Sequence, residues 1–129
     1  MKYAIIGATG NVGRKTIEIL EKSNLKVDKL NLLASKKSKG QNLSFRGKEI
    51  IVDDLENYNF SDANITFFAA GSKIAEKFAL NASKKTCVID NSKFFRMNTG
   101  IPLVVAEVNP DELNNHKNLI SNPNCSTIQ

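Results

Sequence analysis

Seven residues, Gly7-Ala-Thr-Gly-Asn-Val-Gly13, follow directly on the apolar run Lys2-Tyr-Ala-Ile-Ile6 and lead into a segment of helical spacing. Few local patterns limit a fold more. A buried strand that ends in glycines and continues as a helix opens a β-α-β unit. Its turn points main-chain N–H groups and a helix amino terminus at a place where a pyrophosphate can sit. Gly7 permits the tight turn, Gly10 allows close approach, and Gly13 lets the helix pack on the sheet. The pattern is Gly-x-x-Gly-x-x-Gly rather than the commoner form with a shorter first gap, so a glycine turn without a ligand is the alternative.

The rest of the chain repeats the alternation. Val12, Ile17, Ile19 and Leu20 give helical spacing up to Lys22, broken at Ser23-Asn24, and Leu30-Asn-Leu-Leu-Ala34 reads as a second strand. Ser35 to Gln41 is a polar loop. Leu43, Phe45-Arg-Gly-Lys48 and Ile50-Ile-Val52 predict a hairpin turning at Gly47. Asn64-Ile-Thr-Phe-Phe-Ala69 is another buried strand, followed by Ala70-Gly71-Ser72 and a helix from Ile74 to Ser83. Val88-Ile-Asp90 ends a further strand, and Pro102-Leu-Val-Val105 is extended. Glu107 to Asn114 is a turn or short helix with Pro110 near its start, and Leu119-Ile120 leads into the last loop. The predicted class is α/β: a Rossmann-like, doubly wound, mostly parallel sheet in one domain over residues 1–129.

A chain of 129 residues with 41% hydrophobic and 24% charged residues can bury one real core. No apolar run approaches the ~20 residues that cross a bilayer, and no signal-type segment opens the chain, which predicts no membrane partner and a cytoplasmic location. The net charge of +5 suits anionic small molecules, or is simply a solvated lysine surface. Its basic residues are dispersed and no nucleic-acid motif accompanies them, so a nucleic-acid partner is not expected. Two cysteines make no disulfide framework, and with one histidine they make no metal cluster. Cys87, in Thr86-Cys-Val-Ile-Asp90, reads as an inert core residue. His116 reads as a surface residue.

Cofactor choice is written after the second strand. An NAD site places Asp or Glu there, on the ribose 2′-OH. This chain has Ala34-Ser35-Lys36-Lys37-Ser38 instead. Hydroxyls and ammonium groups hold a 2′-phosphate that a carboxylate would repel, so NADP is the expected cofactor, with a solvated lysine loop as the alternative.

At the other end stands Ser121-Asn-Pro-Asn-Cys-Ser-Thr-Ile-Gln129. Pro123 keeps the preceding backbone out of helix, while Cys125-Ser-Thr-Ile can open one, and a helix amino terminus favours thiolate. Asn122 and Asn124 offer amide donors for an oxyanion or a phosphate. The alternative is a buried free cysteine beside a loop. A nucleotide loop and an activated thiol in one domain point to thioester-forming redox chemistry on an aldehyde.

The chain resembles the aspartate-β-semialdehyde dehydrogenase family. The resemblance is carried in order by Gly7-Ala-Thr-Gly-Asn-Val-Gly13, the Ala34-Ser35 loop ending at Gly40, Phe68-Ala-Ala-Gly-Ser72, Val88-Ile-Asp-Asn-Ser92 with Phe95-Arg-Met97, Pro102-Leu-Val-Val105 with Glu107-Val-Asn-Pro110, and the cysteine loop. Asn124 separates it from the related N-acetyl-glutamyl-phosphate reductases, which carry glycine there. The resemblance implies NADPH-dependent conversion of aspartyl phosphate to aspartate semialdehyde and phosphate, on the route to lysine, threonine and methionine. It implies Cys125 as the nucleophile and Arg96, with Asn124, at the phosphate. For the cofactor it implies Gly7, Thr9, Gly10, Asn11, Val12, Gly13, Ser35, Lys37, Ser38, Ala70 and Gly71. The family carries arginine where Lys37 stands.

The resemblance further implies a homo-oligomeric enzyme with a second domain, beyond the cysteine, that supplies a histidine, a glutamine, an arginine and most of the dimer interface. The chain is therefore expected to be the amino-terminal, cofactor-binding half of such an enzyme, inactive alone and partnered by a separate carboxy-terminal half. The competing expectation is a nucleotide-binding remnant or regulatory module without catalysis. An unrelated nucleotide-sugar epimerase or reductase leaves Asn-Pro-Asn-Cys unexplained.

Overall fold

Strand β1 (Lys2–Ile6) is buried from Tyr3 to Ile6, because it is hydrogen-bonded on both sides and covered on both faces. The computed structural model describes residues 1–105 and 107–123, with the backbone alone at 115. Within them the chain runs β1, α1 (Asn11–Lys22), β2 (Lys29–Ala34), β3 (Asn42–Phe45), β4 (Lys48–Ile51), β5 (Asp53–Asp54), β6 (Ile65–Phe68), α2 (Ser72–Ser83), β7 (Cys87–Asp90) and β8 (Leu119–Ser121). Among the described residues six strands form one parallel sheet in the order β5-β2-β1-β6-β7-β8, and β3 pairs with β4 in a separate antiparallel hairpin.

Alternation along the strands builds two cores. Tyr3 and Ile5 point to the side of α1 with Ile17, Leu20, Leu30 and Leu32. Ala4 and Ile6 point to the side of α2 with Leu33, Phe68, Ala75, Ala79, Ala82 and Val88. Burying a side chain such as Phe68 contributes about 1.5–3 kcal/mol. Helix α2 meets the sheet through three alanines, which bring it close. The chain moves outward from β1 through α1 to β2, then returns to β1's other side as β6 and moves outward again through α2. That reversal makes the sheet doubly wound and opens a crevice at the carboxyl ends of β1 and β6. No helix among the described residues is long and apolar enough to cross a membrane.

The hairpin turns through Arg46 (φ 49°) and Gly47 (φ 80°), both left-handed, as a two-residue loop requires. Arg46 also donates to the carbonyls of Leu20, Glu21 and Ser23, so the hairpin caps the carboxyl end of α1 with positive charge.

Several expectations need correction. Val52 leaves the hairpin and is fully buried, and β5 with the 3-10 turns Leu55–Asn57 and Phe60–Asp62 occupies a stretch the sequence pattern left blank. The lysine loop contains a 3-10 turn at Lys36–Ser38. Pro102–Val105 supplies one bridge, Leu103 to Ser121. The turn or short helix expected with Pro110 near its start is a 3-10 helix, Pro110–Asn115, and needs no correction. Ile19 is 61% exposed. It faces a groove of about 400 Å³ shared with Val12, Leu25, Phe67 and Ile89.

Candidate functional site

The glycine loop is shaped by its own backbone. Gly7 has φ 84°, and a Cβ there would lie 2.7 Å from the Ala69 carbonyl oxygen, so the loop after β1 touches the loop after β6 where only glycine fits. Both Gly7 and Ala8 donate their N–H to the Leu33 carbonyl, which ties the turn to β2. Gly13 packs on the loop rather than on the sheet: its missing Cβ would meet the Gly7 carbonyl oxygen at 2.0 Å and the Ala8 Cα at 2.8 Å. At Gly10 a Cβ would make only an ordinary contact, 3.5 Å from the Gly7 carbonyl.

Helix α1 starts without a side-chain cap and without an acid in its first turn. Its leading N–H groups have no helical partner, and a helix amino terminus favours an anion. Thr9 Oγ1 reaches Ser38 Oγ at 3.3 Å, so the glycine loop and the lysine loop close on each other. Together they border a cleft of about 620 Å³ lined by Gly7, Thr9, Ala34, Ser35, Lys36 and Ala70, with Asp54 to Asn57, Ile74 and Phe78 on the far side.

Of the residues expected to hold the cofactor, Gly7, Thr9, Ser35 and Ala70 line the cleft. Lys36 lines it and Lys37 does not. Val12 lines the groove beside α1 instead. Gly10, Asn11 and Gly13 belong to the turn and the first turn of α1 and do not line the cleft, and Gly71 (φ 89°) starts α2. The segment Asp54–Asn57 was missed, since nothing local marks a two-residue strand followed by a 3-10 turn. Its acids are engaged: the buried Asp54 carboxylate accepts from Glu56 N at 3.0 Å and Asn57 Nδ2 at 3.1 Å, and Glu56 pairs with Lys77 at 2.9 Å.

A second set of residues gathers at the carboxyl ends of β7 and β8. Asp90 is fully buried and accepts from Ser92 N at 3.0 Å and Ser92 Oγ at 2.6 Å, which turns the chain sharply after β7. Phe95 anchors that turn in the core. Arg96, beside it, donates from Nε to the Asn122 carbonyl and from Nη2 to the Asn91 carbonyl, both at 2.9 Å. Asn122 Nδ2 donates to Asn91 Oδ1 at 2.6 Å. Asn124 and Cys125 lie outside the described residues. Cys87 is half-buried at the start of β7, where burial pushes its thiol pKa up. His116 is exposed and accepts from Asn118 N at 3.0 Å.

Comparison with known proteins adds an independent finding. The model of the family described as semialdehyde dehydrogenase, NAD binding domain, matches residues 2–116. Over 128 residues the chain is 46% identical to the aspartate-semialdehyde dehydrogenase of Shewanella violacea, covering 97% of this chain and 38% of that protein. The crystal structure of aspartate semialdehyde dehydrogenase II from Vibrio cholerae, complexed with ASA, matches with a TM-score of 0.93 and 44% identity over 98% of this chain and 42% of that one. The Candida albicans aspartate semialdehyde dehydrogenase, with NADP, matches with a TM-score of 0.81 and 26% identity over 98% of this chain and 43% of that one. The chain thus spans 38% of the length of the curated relatives it matches first.

Proposed function

The chain belongs to the semialdehyde dehydrogenase family, within its NAD-binding domain, and from that premise we propose that it is the cofactor-binding part of an NADP-dependent aspartate-semialdehyde dehydrogenase. The observation that carries the reading is the cleft at the switch point. A glycine turn with no room for a Cβ at Gly7, an uncapped helix start, and the Ser35-Lys36 rim meet there without a free carboxylate at the end of β2. These features fit a dinucleotide: Gly7 and Thr9 in the cleft with the main-chain N–H groups of the turn and helix start at Gly10, Asn11, Val12 and Gly13 for the pyrophosphate, the Val12 side chain facing the other groove, Ala70 and Gly71 for the neighbouring part of the cofactor, and the lysine loop for a 2′-phosphate. Both acids that line the cleft are engaged within the protein, Asp54 by Glu56 N and Asn57 Nδ2 and Glu56 by Lys77, which supports NADP over NAD.

In the proposed reaction Cys125 attacks, as thiolate, the acyl carbon of aspartyl phosphate. The bond from that carbon to the phosphate oxygen breaks, and phosphate leaves with the electron pair to give an acyl-thioester. NADPH, when held in the cleft, would supply the hydride that takes the acyl group to the aldehyde level, and the carbon–sulfur bond breaks with its electron pair returning to Cys125 as thiolate. Asn124 donates hydrogen bonds to the developing oxyanion or the phosphate, and Arg96 adds positive charge near the leaving group.

Residues 1–129 alone are expected to show no turnover. The thioester chemistry needs proton transfer, and the histidine present, His116, is an exposed residue at the carboxyl end of a 3-10 helix that accepts a hydrogen bond from Asn118 N. Losing a general base costs about 10²–10⁴ in rate, and losing substrate orientation multiplies it. The test is NADP reduction with aspartate semialdehyde and phosphate, with and without a separately expressed carboxy-terminal domain of a relative. Turnover restored by that domain, and abolished again by Cys125→Ala, supports the reading. NADPH binding without rescue would leave a nucleotide-binding module in its place.

A further inference from the structure

We propose that Arg96 is a positioning residue: its guanidinium ties the ends of β7 and β8 together and so sets the main-chain course into the loop that carries Asn124 and Cys125, with or without a bound phosphate. For its catalytic consequence this rests on the proposed role of Cys125; the tie itself does not.

The geometry is that of a fork closed on two strands. Nε and Nη2 share one edge of the guanidinium, and each donates to a different main-chain carbonyl, Asn122 and Asn91, at 2.9 Å. Asn91 directly follows β7 and Asn122 directly follows β8. At those positions the parallel ladder is running out. One more bond, Asn122 N to the Asp90 carbonyl at 2.8 Å, continues it past Ser121, and the side-chain bond between Asn122 and Asn91 closes the ring. Carbonyls at a strand end need donors from elsewhere, and a planar cation supplies two at fixed spacing.

The residue that makes the tie is itself held. Phe95 is 2% exposed, and Asn98 N donates to the Phe95 carbonyl at 3.0 Å, while the buried Asp90–Ser92 pair fixes the start of the same turn. Arg96 therefore reaches across from a rigid base. Its effect carries forward because little chain separates Asn122 from Cys125. Only Pro123 and Asn124 intervene, a reach of at most ~10 Å, and the ring of Pro123, itself buried, fixes its own φ. The remaining guanidinium edge, at Nη1, makes no hydrogen bond with the described residues, so an anion can meet it without breaking the tie. A lysine at this position keeps the charge but presents a single point and cannot span both carbonyls as the fork does.

The experiment is done on the 1–129 chain in phosphate-free buffer. Nitrogen-15 NMR should find the Arg96 Nε–H exchanging slowly. In Arg96→Lys and Arg96→Gln the Asn122 N–H should exchange about tenfold faster or more, while the Val88 N–H inside the sheet stays as it was. The pH profile of iodoacetamide modification at Cys125 should shift in Arg96→Lys, whose charge is unchanged, while Cys87 reacts as before; that unchanged Cys87 rate separates a local effect from unfolding. Should Arg96→Gln fail to fold, Arg96→Lys and the wild-type Nε–H signal still decide. An Arg96 Nε–H exchanging at the solvent rate, or Arg96→Lys matching wild type until phosphate is added, would overturn the proposal and leave Arg96 as an anion ligand only. If wild-type Cys125 titrates as an ordinary thiol, the Cys125 reading fails while the exchange data still judge the tie.

Discussion

The Cβ that Gly13 lacks would stand 2.0 Å from the carbonyl oxygen of Gly7, so the first turn of α1 and the glycine turn before it are packed backbone to backbone. Both partners are main chain, and neither can swing aside. Gly13→Ala is therefore expected to destabilise the chain by about 3 kcal/mol, the upper end of what overpacking usually costs. Gly10→Ala has room for its Cβ and should cost under about 1 kcal/mol, mostly through the poorer helix cap. Urea denaturation midpoints compare the two. NADPH titration of Gly10→Ala then asks whether Gly10 serves close approach: unchanged affinity would remove that assignment.

NADPH should bind more tightly than NADH, and the preference should shrink as salt rises, because exposed ammonium groups facing a 2′-phosphate are screened within about 10 Å at 0.1 M. Because Lys36 borders the cleft and Lys37 does not, Lys36→Glu should erode the preference more than Lys37→Glu. Calorimetric titration of both cofactors against the three chains measures it. Equal affinities in the wild type would count against the lysine loop as the selecting element.

The two thiols should part company. Burial raises the Cys87 pKa above its ordinary value of 9.0, so its modification by iodoacetamide should stay slow at neutral pH and rise only in alkaline solution. Cys125, expected from the sequence in polar company where a helix can open, should react much faster near pH 7. Mass mapping after brief labelling reads both at once. Comparable labelling in the folded chain would remove the case for an activated nucleophile.

Stability should fall on the acid side partly through Asp62. Lys29 above all holds its carboxyl below the usual value of 3.8. A depressed carboxyl contributes stability that is present above the unfolded pKa and is lost as pH falls through the folded one. Tyr58, pushed up to about 12 mainly by burial, stays protonated across that range. Asp62→Asn should thus lose stability at pH 7, by about 1 kcal/mol or less because water screens the pair, and should show a flatter decline below pH 4. Urea midpoints between pH 3 and pH 7 test the slope; parallel curves for the two proteins would exclude Asp62 as a contributor.

The sequence by itself determined the elements whose cause is local. β1, the glycine turn, α1 and β2 were legible because a continuous apolar run, three glycines at fixed gaps and a helical period each act within a few residues. The hairpin at Arg46-Gly47 was legible for the same reason, since its turn needs left-handed backbone. The tertiary structure alone decided what depends on distant partners. The hydrogen-bond ladder made Asp53–Asp54 a strand only because β2 lay open beside it, and that pairing brought Asp54 to Asn57 onto the cleft. Contact with Gly7, not a helical rule, gave Gly13 its role. Arg96 was marked as a phosphate ligand only through the family resemblance. That its fork would close on the carbonyls of Asn91 and Asn122, five and twenty-six residues away along the chain, followed only from the sheet order that set β8 against β7. Local periodicity fixes which residues face a core; which main-chain groups are left wanting a donor is settled when the strands have found their neighbours.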